Sequence, residues 1–210
     1  MKRTVLIFCT SLFFCLLFFC FSVLVKKGFF TKIDFDTTVR LQNHTPVKLD
    51  RVFPVFGILA SLPVMTLILL VVLFLFRKWT GVLVLFLFFI AHGVELFGKL
   101  FINHPPPPFL FYKHLDAPEF QLQKYYVSGG SSYPSGHEFR TVFVCIVLLF
   151  FLTRMRKIPT IYKILCSSAI LAITVLVGVS RISLGEHWTS DVIGGALFGV
   201  AMGSLGIVFL

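Results

Sequence analysis

The chain has 210 residues, 57% of them apolar, with 27 Phe and a formal net charge of +10. That composition excludes an ordinary soluble domain, and its repeated runs of about twenty apolar residues call for helices that cross a bilayer. It also argues against nucleic-acid binding: the basic residues are scattered beside the apolar runs, where anionic headgroups are their natural partners.

Met1-Lys2-Arg3-Thr4 and residues 5–25 have the basic start and apolar run of a signal peptide. The run is too long for one and no small-x-small cleavage site follows, so an uncleaved first span is expected at 5–25. Residues 26–53 mix acids and bases and read as an external loop with a short amphipathic helix on the membrane surface. A second span at 54–76 contains Pro63, which either kinks it or marks a break before a shorter helix. Arg77-Lys78-Trp79 is a basic turn with an interfacial Trp, and a third span follows at 82–101. His92, Glu95 and Lys99 interrupt its outer end, where a Glu95–Lys99 pair is the simplest expectation. His104 and the prolines Pro105 to Pro108 then stop the helix.

Residues 109–132 make an aromatic-rich external loop with Phe111, Tyr112, Phe120, Tyr125 and Tyr126, either an interfacial belt or a lid over a lipid entrance. Further spans are expected at 134–153, 161–179 and 187–210. The turns at 77–79 and 154–157 hold Arg and Lys and no acid, which places them and both termini in the cytoplasm. The expected fold is therefore all-α: a polytopic membrane protein with six transmembrane helices in one bundle, residues 1–210 forming one domain. Cys9, Cys15, Cys20, Cys145 and Cys166 all lie in apolar runs and read as small buried filler. Gly195, Gly199 and Gly203 recur every four residues on the last span, for close packing within the bundle or as a homodimer seam.

Two polar clusters open apolar runs on the outer side. In Ser180-Arg181-Ile182-Ser183-Leu184-Gly185-Glu186-His187-Trp188-Thr189-Ser190-Asp191, a helix starting near Glu186 puts His187 and Asp191 on one face. The carboxylate then accepts the proton of one imidazole nitrogen and leaves the other as a nucleophile. Arg181, just before that helix, suits two-pronged phosphate binding. In Pro134-Ser135-Gly136-His137-Glu138, a helix start offers free amides to an anion, Gly136 lets the backbone approach, and the Ser135 hydroxyl adds a donor. Ser135-x-x-Glu138 also reads as a capping box. No carboxylate cluster has the form of a metal site, so metal-independent chemistry is expected.

These residues resemble the type 2 phosphatidic acid phosphatase superfamily of integral-membrane lipid phosphatases, most closely over residues 133–199. The resemblance implies hydrolysis of a lipid phosphomonoester or diphosphate at the outer leaflet, without a cofactor. Phosphatidic acid, phosphatidylglycerol phosphate and a polyprenyl diphosphate such as undecaprenyl diphosphate are the substrate types. It implies that His187 forms a phosphohistidine, that Asp191 orients it, and that His137 acts as general acid and then base. Ser135, Gly136, Arg181 and Lys99 would hold the phosphate. Lys99 matches the first residue of the family's Lys-x6-Arg-Pro motif, but Pro106 and Pro107 stand where Arg and Pro belong. Two residues are placed to substitute: His104 in the same loop, and Arg140, three residues after His137 on the same helix face. A phosphotransferase and a catalytically silent lipid-phosphate binder are the rival readings.

Overall fold

In the computed structural model, which describes residues 2–77, 79–113 and 130–210, helices are the only regular structure. In chain order they are α1 (Lys2–Lys26), α2 (Thr31–His44), α3 (Val47–Asp50), α4 (Phe53–Leu59) and α5 (Leu62–Leu75). There follow α6 (Gly81–Phe101), a 3-10 turn at Phe109–Phe111, α7 (Gly136–Arg154), α8 (Thr160–Ser183) and α9 (Thr189–Val208). Five helices, α1, α6, α7, α8 and α9, are each long and apolar enough to cross a membrane. The pair Val47–Leu59 and Leu62–Leu75, bent by 56°, is either a sixth, broken span or a re-entrant loop.

The bend lies at Ala60–Ser61. Ser61 is extended, and Pro63 follows in the first turn of α5, where its missing N–H breaks no helical bond. Of the two readings of Pro63, the break is the observed one. The amphipathic helix expected in residues 26–53 is α2, which packs against α8 and α9. Lys78 and the rings of Phe120, Tyr125 and Tyr126 lie outside the described residues, so only the flanks of the aromatic loop can be placed. There Lys113 pairs with Asp50 at 2.9 Å, and the Trp188 indole N–H donates to the Pro105 carbonyl at 2.8 Å.

In a bilayer, helices associate through close packing rather than through escape from water. Here α7 and α9 form the central pair. Gly199 lets α9 approach α7 so closely that a Cβ there would lie 2.7 Å from Val142 Cβ, and Gly203 faces Ile146 in the same way. Gly195 meets the Ser135 carbonyl. The Gly195/Gly199/Gly203 ridge is thus packed against α7 of the same chain, the first of its two readings. On α6, Val84, Phe88, Ala91 and Glu95 form the buried stripe, and most of the helix faces outward. The Ser11 hydroxyl on α1 donates to the Ala201 carbonyl on α9, and Ser22 shares a hydrogen bond of 2.8 Å with the Tyr133 hydroxyl. The end of α6, the start of α7, the end of α8 and the start of α9 therefore meet at one end of the bundle. The start of α1, the end of α9, Arg77 and Arg154 lie at the other.

Candidate active site

His137 sits in the first turn of α7, and His187 lies in the turn between α8 and α9. Their ring centroids are 6.5 Å apart, with the planes at 67°. The two imidazoles, one from each polar cluster, thus face each other.

The local geometry around His187 differs from the expected one. Helix α9 begins at Thr189, so His187 precedes it and is not on its face. The His187 ring reaches Asp191 from the preceding turn, with Nδ1 3.4 Å from Oδ2. That oxygen also accepts the Trp188 backbone N–H at 2.8 Å, so the carboxylate reaches back over the helix start. Nδ1 is thereby committed to Asp191 and Nε2 is left for chemistry. Arg181 likewise belongs to the last turn of α8 rather than to a loop. A cation there is favoured by the negative end of the helix dipole. Gly185, with φ of +73°, then turns the chain out of the helix.

Both buried arginines are anchored by the short helix α4. Arg181 Nη2 donates to the Phe53 carbonyl at 3.1 Å, its Nε to Ser180 Oγ at 3.2 Å, and Nη1 pairs with Glu186. Arg140 Nε donates to the Ala60 carbonyl at 3.1 Å. The break between α4 and α5 frees the terminal carbonyls of α4, and the site uses one of them. Among the described residues neither Glu138 nor Glu186 pairs with Arg140; Glu186 is taken by Arg181. The acid beside Arg140 is Glu95, and a Cβ on Gly136 would lie 2.9 Å from Glu95 Oε1 and 3.0 Å from Arg140 Nη1. The bare face of Gly136 is thus filled by these two side chains. Lys99 Nζ lies 2.7 Å from Glu95 Oε1, the expected pair, and His92 Nδ1 lies 3.0 Å from Oε2.

Ser135 is fully buried at the start of α7, and its backbone N–H donates to the Asp191 carbonyl at 3.0 Å. The capping box with Glu138 does not form. The Ser135 hydroxyl and Glu138 Oε2 are buried without a partner among the described residues, and Glu138 points toward Gly178 of α8. His104 is also placed differently from the expectation. Its Nδ1 is 2.9 Å from Asp191 Oδ1 and its Nε2 is 3.8 Å from Asp34 Oδ2. Both nitrogens face carboxylates, so neither is free for a phosphate. Burial, the largest single influence, lowers the His104 pKa, but the hydrogen bond to Asp191 and the charges of Asp191 and Asp34 outweigh it, and the net shift is upward. Burial raises the Asp34 carboxyl, opposed by the two hydrogen bonds it accepts from Ser190.

Two residues around the site were not legible in the sequence. Asp34 read as one more charge in a polar loop, yet its oxygens accept the Ser190 N–H at 2.8 Å and Oγ–H at 2.7 Å, fixing the start of α9. Gly57 lies in the apolar run 54–76, where a glycine was the available signal. A Cβ on Gly57 would lie 2.5 Å from Arg181 Nη1 and 2.8 Å from Cζ. The obstructed group is the far end of a flexible side chain, so Gly57→Ala is expected to leave the fold intact and displace the guanidinium. A misplacement of about 1 Å can cost on the order of 100-fold in rate. Any turnover that depends on Arg181 should therefore fall at least tenfold in kcat/KM with an unchanged melting temperature, read from steady-state kinetics and a thermal melt.

A sequence model of the PAP2 superfamily matches residues 80–210. Phosphatidylglycerophosphatase B of Bacillus subtilis (strain 168) is 29% identical over 131 residues, which are 62% of this chain and 58% of that protein. The match thus spans little more than half of that relative's length. Among solved structures, the transmembrane PAP2-type phosphatidylglycerolphosphate phosphatase from Bacillus subtilis superposes with a TM-score of 0.75 at 22% identity, covering 94% of each chain. LpxE of Aquifex aeolicus superposes with a TM-score of 0.62 at 24% identity, over 83% of this chain and 94% of that one. At these identities the two structures speak for the fold.

Proposed function

The chain belongs to the PAP2 superfamily, and on that premise we propose that it is an integral-membrane phosphatase that removes phosphate from a lipid phosphomonoester or diphosphate. The observation that carries the reading is the facing pair of imidazoles, with ring centroids 6.5 Å apart, and the buried guanidinium groups of Arg140 on α7 and Arg181 at the end of α8. A phosphoryl group between the rings would have a nucleophile on one side and a proton donor on the other.

In the proposed mechanism, His187 Nε2 attacks phosphorus and the bond from phosphorus to the lipid oxygen breaks. The leaving oxygen takes a proton from His137. Asp191 holds the His187 tautomer and stabilises the positive charge that the ring acquires. A water then gives a proton to His137 and attacks the phosphohistidine, releasing phosphate and restoring His187. Arg181 and Arg140 neutralise the charge on the phosphoryl oxygens, with Lys99 at the rim, Gly136 shaping the wall and the Ser135 hydroxyl as a further donor. Arg140 takes the place of the arginine missing from the Lys-x6-Arg-Pro motif. These cations are the protein's own, so turnover should not require a metal.

The site is assigned to the outer leaflet, facing the periplasm or exterior, because the basic turns lie at the opposite end of the bundle. Phosphatidylglycerol phosphate is the favoured substrate, on the strength of the curated relative; phosphatidic acid and undecaprenyl diphosphate are the comparators. The test is phosphate release by the purified protein in detergent, with a chelator, from each of the three lipids. Release from at least one lipid, undiminished by the chelator, is expected. No release from any of them, or activity restored only by added magnesium, would overturn the reading.

A further inference from the structure

His104 is the one member of the expected phosphate-binding set that the structure turns away from phosphate. It follows the end of α6 at Phe101, and the backbone around it is tied down. Its carbonyl accepts the Ser132 N–H at 2.9 Å and the Ser132 hydroxyl at 3.1 Å, and its own N–H donates to Ser131 Oγ at 3.3 Å. The ring is buried, and the Tyr133 ring meets it edge-on at 6.3 Å.

The carboxylate of Asp191 is consequently shared by two imidazoles. His104 is the nearer, at 2.9 Å to Oδ1, while His187 stands 3.4 Å from Oδ2. Beyond His104 lies the second carboxylate, Asp34, itself clamped by the Ser190 N–H and hydroxyl at the start of α9. The four groups run His187, Asp191, His104, Asp34, and they join the last-span turn, α9, the end of α6 and α2. Asp191 is fully buried and Asp34 only 2% exposed. His104 presents one ring nitrogen to each of these buried carboxylates, where a protonated ring would offset charge that burial penalises.

We propose that His104 is a positioning residue of the phosphoryl-transfer site: it binds the far oxygen of Asp191, is steadied by Asp34, and so fixes the carboxylate that orients His187. This inference rests on the phosphatase reading. It gives a rationale for a histidine in the loop where the family arginine is missing. The phosphate loses a ligand there, Arg140 replaces it, and the loop is used instead to brace the catalytic carboxylate.

The groups that set the protonation of His104 are Asp191 from α9, Asp34 from α2, and Tyr133 ahead of α7, with His187 competing for Asp191. Its pKa is raised in the folded protein. Stability from the charged ring is therefore fully present below the ordinary imidazole value of about 6.5 and is lost as pH rises through the raised folded value.

The experiment compares full-length wild type, His104→Ala and His104→Asn in detergent. With the lipid phosphate that wild type hydrolyses, His104→Ala should lower kcat about tenfold and leave KM within twofold. His104→Asn, which returns a neutral donor near the place of Nδ1, should recover most of that loss. Thermal melts of His104→Asn should show a deficit against wild type that is largest below about pH 6.5 and shrinks in alkali. A raised KM with unchanged kcat would overturn the inference, because it would put His104 on the phosphate; unchanged kinetics would overturn it as well. Wild type without phosphatase activity would overturn the functional reading, and the melts would still judge the geometry. A deficit equal at every pH would show that His104 carries no charge between Asp191 and Asp34.

Discussion

His187→Ala is expected to release no phosphate above background from any lipid phosphate that the wild type hydrolyses. The imidazole donates the electron pair of the proposed covalent step. Asp191→Asn should be nearly as severe. A neutral amide removes the charge that stabilises the imidazolium, and in triads of comparable logic such a change costs on the order of 10⁴-fold in kcat. Here it also withdraws a charged partner from His104, so the two faults act together. A rapid quench of wild type with labelled lipid should trap acid-labile phosphate on the protein, and His187→Ala should trap none. Phosphate release by His187→Ala at the wild-type rate would refute the mechanism, and trapping without turnover would favour a silent binder.

Arg140→Ala is expected to weaken substrate handling more than folding. Arg140 is 3% exposed, on the same helix face as His137, and it is held to the Ala60 carbonyl through Nε, which leaves its two terminal nitrogens for phosphate. A charge-assisted hydrogen bond contributes about 1.5–3 kcal/mol, which corresponds to a drop in kcat/KM of roughly 10- to 150-fold. Arg140→Lys should restore only part of it, since an ammonium has neither the fork nor a donor in place of Nε. Glu95 keeps its ion pairs with Lys99 and His92 in either variant, so the fold should survive. If the missing motif arginine has been replaced by Arg140, the loss should be greatest for a diphosphate, which carries the most charge. Equal kcat/KM for wild type and Arg140→Ala across the lipid panel would remove Arg140 from the site.

Five of the membrane spans and the order of the two histidine clusters were legible in the sequence, because each is a local property. A run of about twenty apolar residues has one economical conformation in hydrocarbon, the helix that satisfies its own backbone. Pro63 signalled the break for an equally local reason. The Glu95–Lys99 pair followed from one helical turn of spacing. Helix ends were less well read. A helix start near Glu186 is expected where α9 begins at Thr189, and a span ending at 179 is expected where α8 runs on through Arg181 to Ser183. The apolar pattern blurs just where polar catalytic residues interrupt it.

The sequence by itself determined that this is a helical membrane protein carrying His137, His187, Asp191 and Arg181 at one end of a bundle. Only the tertiary structure decided who holds whom. Gly57 lies against Arg181, far away in sequence, and Asp34 reaches Ser190 across 156 positions. His104 faces Asp191 rather than phosphate, and the carbonyls of Phe53 and Ala60 aim the two arginines. None of these pairings leaves a periodic trace, because a buried polar group takes whichever partner packing brings within about 3 Å, and that partner is set by the crossing of helices, not by spacing along one of them.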